Sequence, residues 1–294
     1  MARLSDDEWV CVADFLQSSA LSRVCHQTWS ILQRRHLSLN TNSSNVQQMA
    51  ALLHGDPRVR TLAVKGTGLS AEGAQALVTL STVPWMTTLT LDLAGSRIGD
   101  AGAQALAALK DAPSVTALDL SLVNNAIGDD GAQALAALKD TPGLTTLSLN
   151  LLDNQIGDGG AQALAALKDS PSLVSLTLNL RHNCIADSPA LAALKDAPAL
   201  KALMLSLGSN RIGDDMAQAL AQLKAAPFLT SLTLHLGSNR ITDDGAHALV
   251  TLREAPALTT LSLNLWNNHT RGGAARAFAA LKGSEALAQL SVDL

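Results

Sequence analysis

IGDAGAQALAALKD (Ile98–Asp111), IGDDGAQALAALKD (Ile127–Asp140) and IGDGGAQALAALKD (Ile156–Asp169) are one string written three times, 29 residues apart. Near-identity at a fixed interval marks a chain built by stacking copies of one unit. An alternating run precedes each copy: LTLDL, LDLSL and LSLNL. The leucine that opens each run falls at Leu89, Leu118, Leu147, Leu176, Leu203, Leu232, Leu261 and Leu290, in steps of 29, 29, 29, 27, 29, 29 and 29. Weaker copies begin at Leu62 and Leu37.

The two halves of the unit carry different periods. Strict alternation in LTLDL or LSLNL predicts a strand with one buried face. In GAQALAALKD, Ala132, Leu135 and Leu138 form one stripe of a short helix. Asp129 or Asp130 is placed to cap that helix, Lys139 suits its C-terminal end, and Pro142 stops it. A strand, a turn and a helix in 29 residues make one right-handed coil, and a single coil has no neighbour against which to bury its faces. The units therefore stack as a solenoid, with a parallel sheet inside and helices outside.

The unit LxxLxLxLxxNxIGDxGAQALAALKDxP resembles a leucine-rich repeat of the ribonuclease-inhibitor-like class. The resemblance spans about Leu37 to Leu294 and implies an α/β curved horseshoe, its sheet on the concave face and its helices on the convex face. It says little about chemistry, because such a scaffold serves many partners.

The recurring polar residues read as structural. Asn125, Asn154, Asn183, Asn210, Asn239 and Asn268, with Ser96 in the first slot, are placed to bond backbone at the bend after each strand. The stacked Asp129, Asp158, Asp214 and Asp243 suit helix capping better than a calcium ladder. Met216 and Ala274 replace the Gly of the GAQ triplet, so close packing explains that glycine better than backbone conformation.

Composition excludes several functions. The apolar fraction is 47%, yet aromatics are 2% and tyrosine is absent, so the core is leucine and alanine. A net charge of −4 supplies no basic stripe for nucleic acid. No apolar run approaches the roughly 18–20 residues of a membrane span. Cys11, Cys25 and Cys184 are odd in number and lack zinc spacing, which fits an intracellular setting. No catalytic triad, P-loop or dinucleotide motif is present, which argues against an enzyme, and no cofactor or metal is implied. Ran GTPase-activating proteins share the repeat class and use a loop arginine, but Arg97, Arg211 and Arg240 occupy equivalent repeat positions and read as surface residues.

Function is expected where the repeat is broken. The column just past each strand runs Ala94, Val123, Leu152, Arg181, Gly208, Gly237, Trp266. Two glycines between Arg181 and Trp266 predict a low trough about 14 Å wide, from the strand spacing. His182 and His235 lie nearby, and the two-residue shortening follows Cys184. Small polar residues such as Asn150, Asn179 and Asn264 line the rest of the inner wall. A protein partner on the concave face is the expectation, with Arg181, His182, His235, Trp266 and these asparagines in contact; the alternative for Trp266 is a cover over the end of the core.

Residues 1–36 do not follow the repeat. Ser5-Asp6-Asp7-Glu8 has the spacing of a capping box, and two amphipathic helices are expected after it. Leu4, Glu8, Phe15-Leu16, Leu21, Val24-Cys25 and Trp29 resemble an F-box, with Ser5 where that family has proline. The resemblance implies that Leu4, Trp9, Phe15, Leu16, Leu21 and Trp29 dock on the Skp-type subunit of an SCF ubiquitin ligase while the repeats hold the substrate. The alternative is a cap over the end of the solenoid, which would leave a plain repeat scaffold or inhibitor. LSVDL at the other end lacks a capping unit, which points to a fragment, a dimer contact or a cover from elsewhere.

Overall fold

The computed structural model describes residues 36–54, 59–83, 85–186, 188–279 and 289–293. The F-box-like positions Leu4, Trp9, Phe15, Leu16, Leu21 and Trp29 lie outside the described residues.

Ten strands pair in sequence order into one parallel sheet. They are β1 (His36–Asn42), β2 (Thr61–Thr67), β3 (Thr88–Asp92), β4 (Ala117–Ser121), β5 (Thr146–Asn150), β6 (Ser175–Asn179), β7 (Ala202–Ser206), β8 (Ser231–His235), β9 (Thr260–Asn264) and β10 (Gln289–Asp293). The register is the repeat itself: Leu118 lies beside Leu89 and Leu147, and the row continues through Leu176, Leu203, Leu232 and Leu261. The architecture is a leucine-rich-repeat solenoid, with the sheet on the concave face and the helices outside.

Alternation sorts the side chains. Leu118, Leu120, Leu147 and Leu149 are buried, while Asp119, Ser121, Ser148 and Asn150 face the inner wall. The helix stripe is buried as expected, with Ala132, Leu135 and Leu138 at 0% exposure. The expected single helix is corrected in form. An α-helix covers only Asp129–Leu135, and a 3₁₀ turn takes Ala136–Asp140. Buried residues three apart suit a helix of three residues per turn, so the tighter winding keeps the stripe in line.

The capping expectation is corrected in direction. Asp129 makes no cap on its own helix, which begins after Gly128 without a side-chain cap. It reaches forward instead and accepts from the Gly157 N–H at 2.7 Å. Asp100 likewise accepts from Gly128 and Gly131 (2.7 and 3.0 Å), and Asp243 from Arg271 and Ala274 (2.8 and 2.9 Å). Each carboxylate thus satisfies orphan donors at the start of the next helix.

The asparagines reach the other way. Asn154 Oδ1 accepts from the N–H groups of Asn125 and Ile127 (3.1 and 3.0 Å), while its Nδ2 donates to the Leu122, Leu151 and Leu152 carbonyls. Asn125 repeats the pattern one unit earlier. Among the described residues, units from Asn125 onward are held backward by an asparagine, and Asp100, Asp129, Asp158, Asp214 and Asp243 reach forward.

The GAQ glycine is a packing residue, as expected. A Cβ at Gly131 would stand 2.7 Å from Ile127 Cγ2 and 3.1 Å from the Ala103 Cβ of the preceding unit. The 27-residue unit explains the exception. It lacks the alanine that would fill this place, and Pro189–Asp196 is wound entirely as 3₁₀ helix. In the following unit Met216 takes the slot that holds glycine at 102, 131, 160 and 245, at 0% exposure. A buried methionine there suits a neighbour that has lost this alanine. The shortening, expected beside the trough, therefore belongs to the convex wall.

Candidate functional site

Past the last strand residue the chain turns through a left-handed position. Gly95, Asn124, Asp153, His182, Ser209, Ser238 and Asn267 all have φ between 52° and 62° there. The residue just before it is the broken column of the sequence, at the rim of the concave face. Here Arg181, Gly208, Gly237 and Trp266 enclose a hollow of about 220 Å³, completed by His235, Ser238 and Asn264.

Gly208 and Gly237 form its floor, and neither has positive φ, so the turn does not demand glycine. What lies above them crowds a side chain. A Cβ on Gly208 would stand 3.0 Å from the Gly237 carbonyl and in ordinary contact, at 3.4 Å, with Arg181 Nε. One on Gly237 would meet Asn264 Oδ1 at 2.8 Å. The Arg181 stem runs across the space that the other units fill with Ala94, Val123 or Leu152.

Trp266 forms the opposite wall and is 58% exposed. His235 sits between, its Nδ1 3.1 Å from the buried Ser206 hydroxyl. Burial, followed by the charge of Arg181, lowers its pKa from the ordinary histidine value, so the imidazole is neutral at pH 7. Asn264 is held on both sides: Oδ1 accepts from the Trp266 N–H at 3.3 Å, and Nδ2 donates to Asp293 at 2.8 Å.

Of the expected contact residues, the structure brings Arg181, His235, Asn264 and Trp266 together. Asn150 and Asn179 bond each other at 2.9 Å and lie outside the trough. His182 is exposed in the left-handed slot of the turn and does not line the hollow. Sequence reasoning passed over Ser238 and Met204. Met204 pairs with Thr177 and Thr233 in the inner wall and is 37% exposed, so the alternation of Leu203 and Leu205 was enough to find it. A wider hollow of about 810 Å³ lies outside, between helices Val46–His54 and Ser70–Val78. Ala50, Ala51 and Ala76 line it, and its described lining holds no cation or aromatic ring.

The family described as Leucine Rich repeat matches residues 86–107, 112–136, 144–165 and 228–250. The matched stretches hold β3, β4, β5 and β8. No curated protein matches the sequence. Among solved structures, internalin C2 from Listeria monocytogenes is similar at 21% identity, over 85% of this chain and 91% of that one, with a TM-score of 0.49. Actin-binding site 2 of leiomodin-1 is 25% identical over 45% of this chain and 77% of its own, with a TM-score of 0.35. Another Listeria monocytogenes internalin, inlF, is 17% identical over 81% and 82%, with a TM-score of 0.33.

Proposed function

We propose that this protein is a non-catalytic intracellular scaffold that holds a protein partner on the concave face, centred on the trough between Arg181 and Trp266. One observation carries the reading. Of the large apolar side chains left exposed among the described residues, Met204 stands in β7 and Trp266 just past β9, while Phe228 precedes β8 at the other end of the strands. The inner walls of β3 to β5 are small and polar throughout, which marks them as scaffold. Trp and Arg are the residue types most enriched at the energetic centres of interfaces. Cys184, an exposed free thiol, suits a reducing compartment. The 29-residue strand-and-helix unit supports placement in the ribonuclease-inhibitor-like class.

The test is affinity capture with the full chain and with Arg181→Ala/Trp266→Ala. Both side chains are exposed, so the double variant should keep its circular dichroism and its unfolding midpoint. A partner held by the wild type and lost by the variant supports the reading. Equal capture by both removes the trough from it.

The match of Leu4, Phe15, Leu16, Leu21 and Trp29 to an F-box supports a finer version, in which residues 1–36 bind a Skp-type adaptor and the concave partner is a ubiquitination substrate. Co-expression with such an adaptor should recover a stoichiometric complex that Phe15→Ala/Leu16→Ala abolishes. Absence of a complex with the wild-type chain would leave a plain repeat scaffold.

A further inference from the structure

We infer that the trough receives the carboxylate side chain of an aspartate or glutamate on the partner, with a neighbouring large apolar residue of the same segment seated against Trp266. The inference rests on the concave-face reading above. Charge complementarity is its first support. Six described lysines pair with carboxylates at 2.5 to 3.7 Å, whereas no described arginine does, so Arg181 is distinguished by its place in the hollow and not by being unpaired. No described carboxylate pairs with Arg181, and none lines the hollow. A hollow walled by an arginine and lined by no described carboxylate leaves the counter-charge to be supplied by the ligand.

The remaining polar groups also donate. Ser238 Oγ accepts from Asn267 Nδ2 at 3.1 Å, so its own proton remains to be given. His235 Nε2 carries the ring hydrogen in the tautomer whose Nδ1 accepts from Ser206. The oxygen of Asn264 is occupied by the Trp266 N–H. A set of donors around one guanidinium fits one planar, singly charged acceptor, for which arginine offers paired parallel bonds. A hollow of about 220 Å³ admits a side chain and not a folded element. Because Arg181 and Trp266 wall the same hollow, the acidic and apolar residues must be close neighbours in the partner's chain.

The experiment is selection of a random-peptide phage library on the full chain, with the selected peptides then titrated against Arg181→Gln and Trp266→Ala. The expected peptides carry Asp or Glu beside an aromatic or large aliphatic residue. They lose about tenfold or more in affinity on Arg181→Gln, the loss expected when a charge-assisted hydrogen bond is removed. Peptides that need Trp266 but carry no acid, or that bind Arg181→Gln as well as wild type, overturn this inference and leave the concave reading intact. Failure to select any peptide, or selection of peptides indifferent to both variants, removes the concave reading and this inference with it.

Discussion

Restoring the consensus at Met216 should destabilise the protein. Met216 is at 0% exposure in a slot that holds glycine at 102, 131, 160 and 245. Full burial of such a side chain is worth about 1.5–3 kcal/mol. Truncating it also leaves a cavity, and buried Met→Ala changes cost about 2–5 kcal/mol in all. Glycine inside a helix adds about 0.5–1 kcal/mol. Met216→Ala should therefore lose about 3 kcal/mol and Met216→Gly about 4 kcal/mol, read as a fall in the urea midpoint by circular dichroism. The reciprocal change isolates the cause. At Gly160 a Cβ would already stand 2.7 Å from Ile156 Cγ2 and 3.0 Å from Ala132 Cβ, so Gly160→Met should be destabilising as well. Returning Ala-Gln to the 27-residue unit should clash with Met216 yet be tolerated together with Met216→Gly, a non-additivity that only neighbours show. A neutral Met216→Gly, or strict additivity with the insertion, would refute the idea that methionine fills the place of the missing alanine.

Asn154→Ala strips two buried N–H groups and three carbonyls of partners and should cost about 3–5 kcal/mol by the same assay, because each unsatisfied buried group costs about 1–3 kcal/mol. Ser209 sits at φ 56° where the third repeat has Gly95, so Ser209→Gly should raise stability by about 0.5–1 kcal/mol, and a loss would count against strain at that column. The backbone N–H of Arg271, then that of Ala274, hold the Asp243 carboxyl below its ordinary pKa. Its stabilising share is thus complete above the ordinary aspartate range and is lost as pH falls through the lower, folded value; Asp243→Asn should flatten that acid limb of the urea midpoint against pH. His235 has a lowered folded pKa, so the unfolded chain takes the proton first and stability falls as pH drops below the ordinary histidine value. His235→Gln should remove that fall, and ring-proton NMR of the wild type should show titration below it.

The repeat was legible because its signals are local and agree. Leu118 and Leu120 alternate, Ala132, Leu135 and Leu138 recur, and Pro142 follows, all within one unit. What crosses from unit to unit was not. Asp129 looks like the cap of the helix it opens, and only the stacking distance shows that its carboxylate reaches Gly157 instead. Two glycines between an arginine and a tryptophan were enough to find the trough, because strand register carries column neighbours into contact. His182 was drawn in by proximity in sequence alone, and the turn that holds it in the left-handed region turns it aside from the hollow. Asn150 and Asn179, read as binding residues for their polarity, bond each other on the inner wall outside the trough.

The opposite reach of asparagine and aspartate sets a rule for how this chain can grow. A unit copied or removed whole meets a waiting acceptor on one side and waiting donors on the other, so its neighbours need no adjustment. A gain or loss of any other length misaligns both ladders unless it falls between them, on the outer wall. The 27-residue unit is a tolerated fractional change of that kind. It kept its asparagine contacts, with Asn183 and Asn210 both in place, while its outer wall is wound as 3₁₀ helix and the next unit buries Met216. The inner surface can thus be lengthened or rewritten column by column while the helices take up the error.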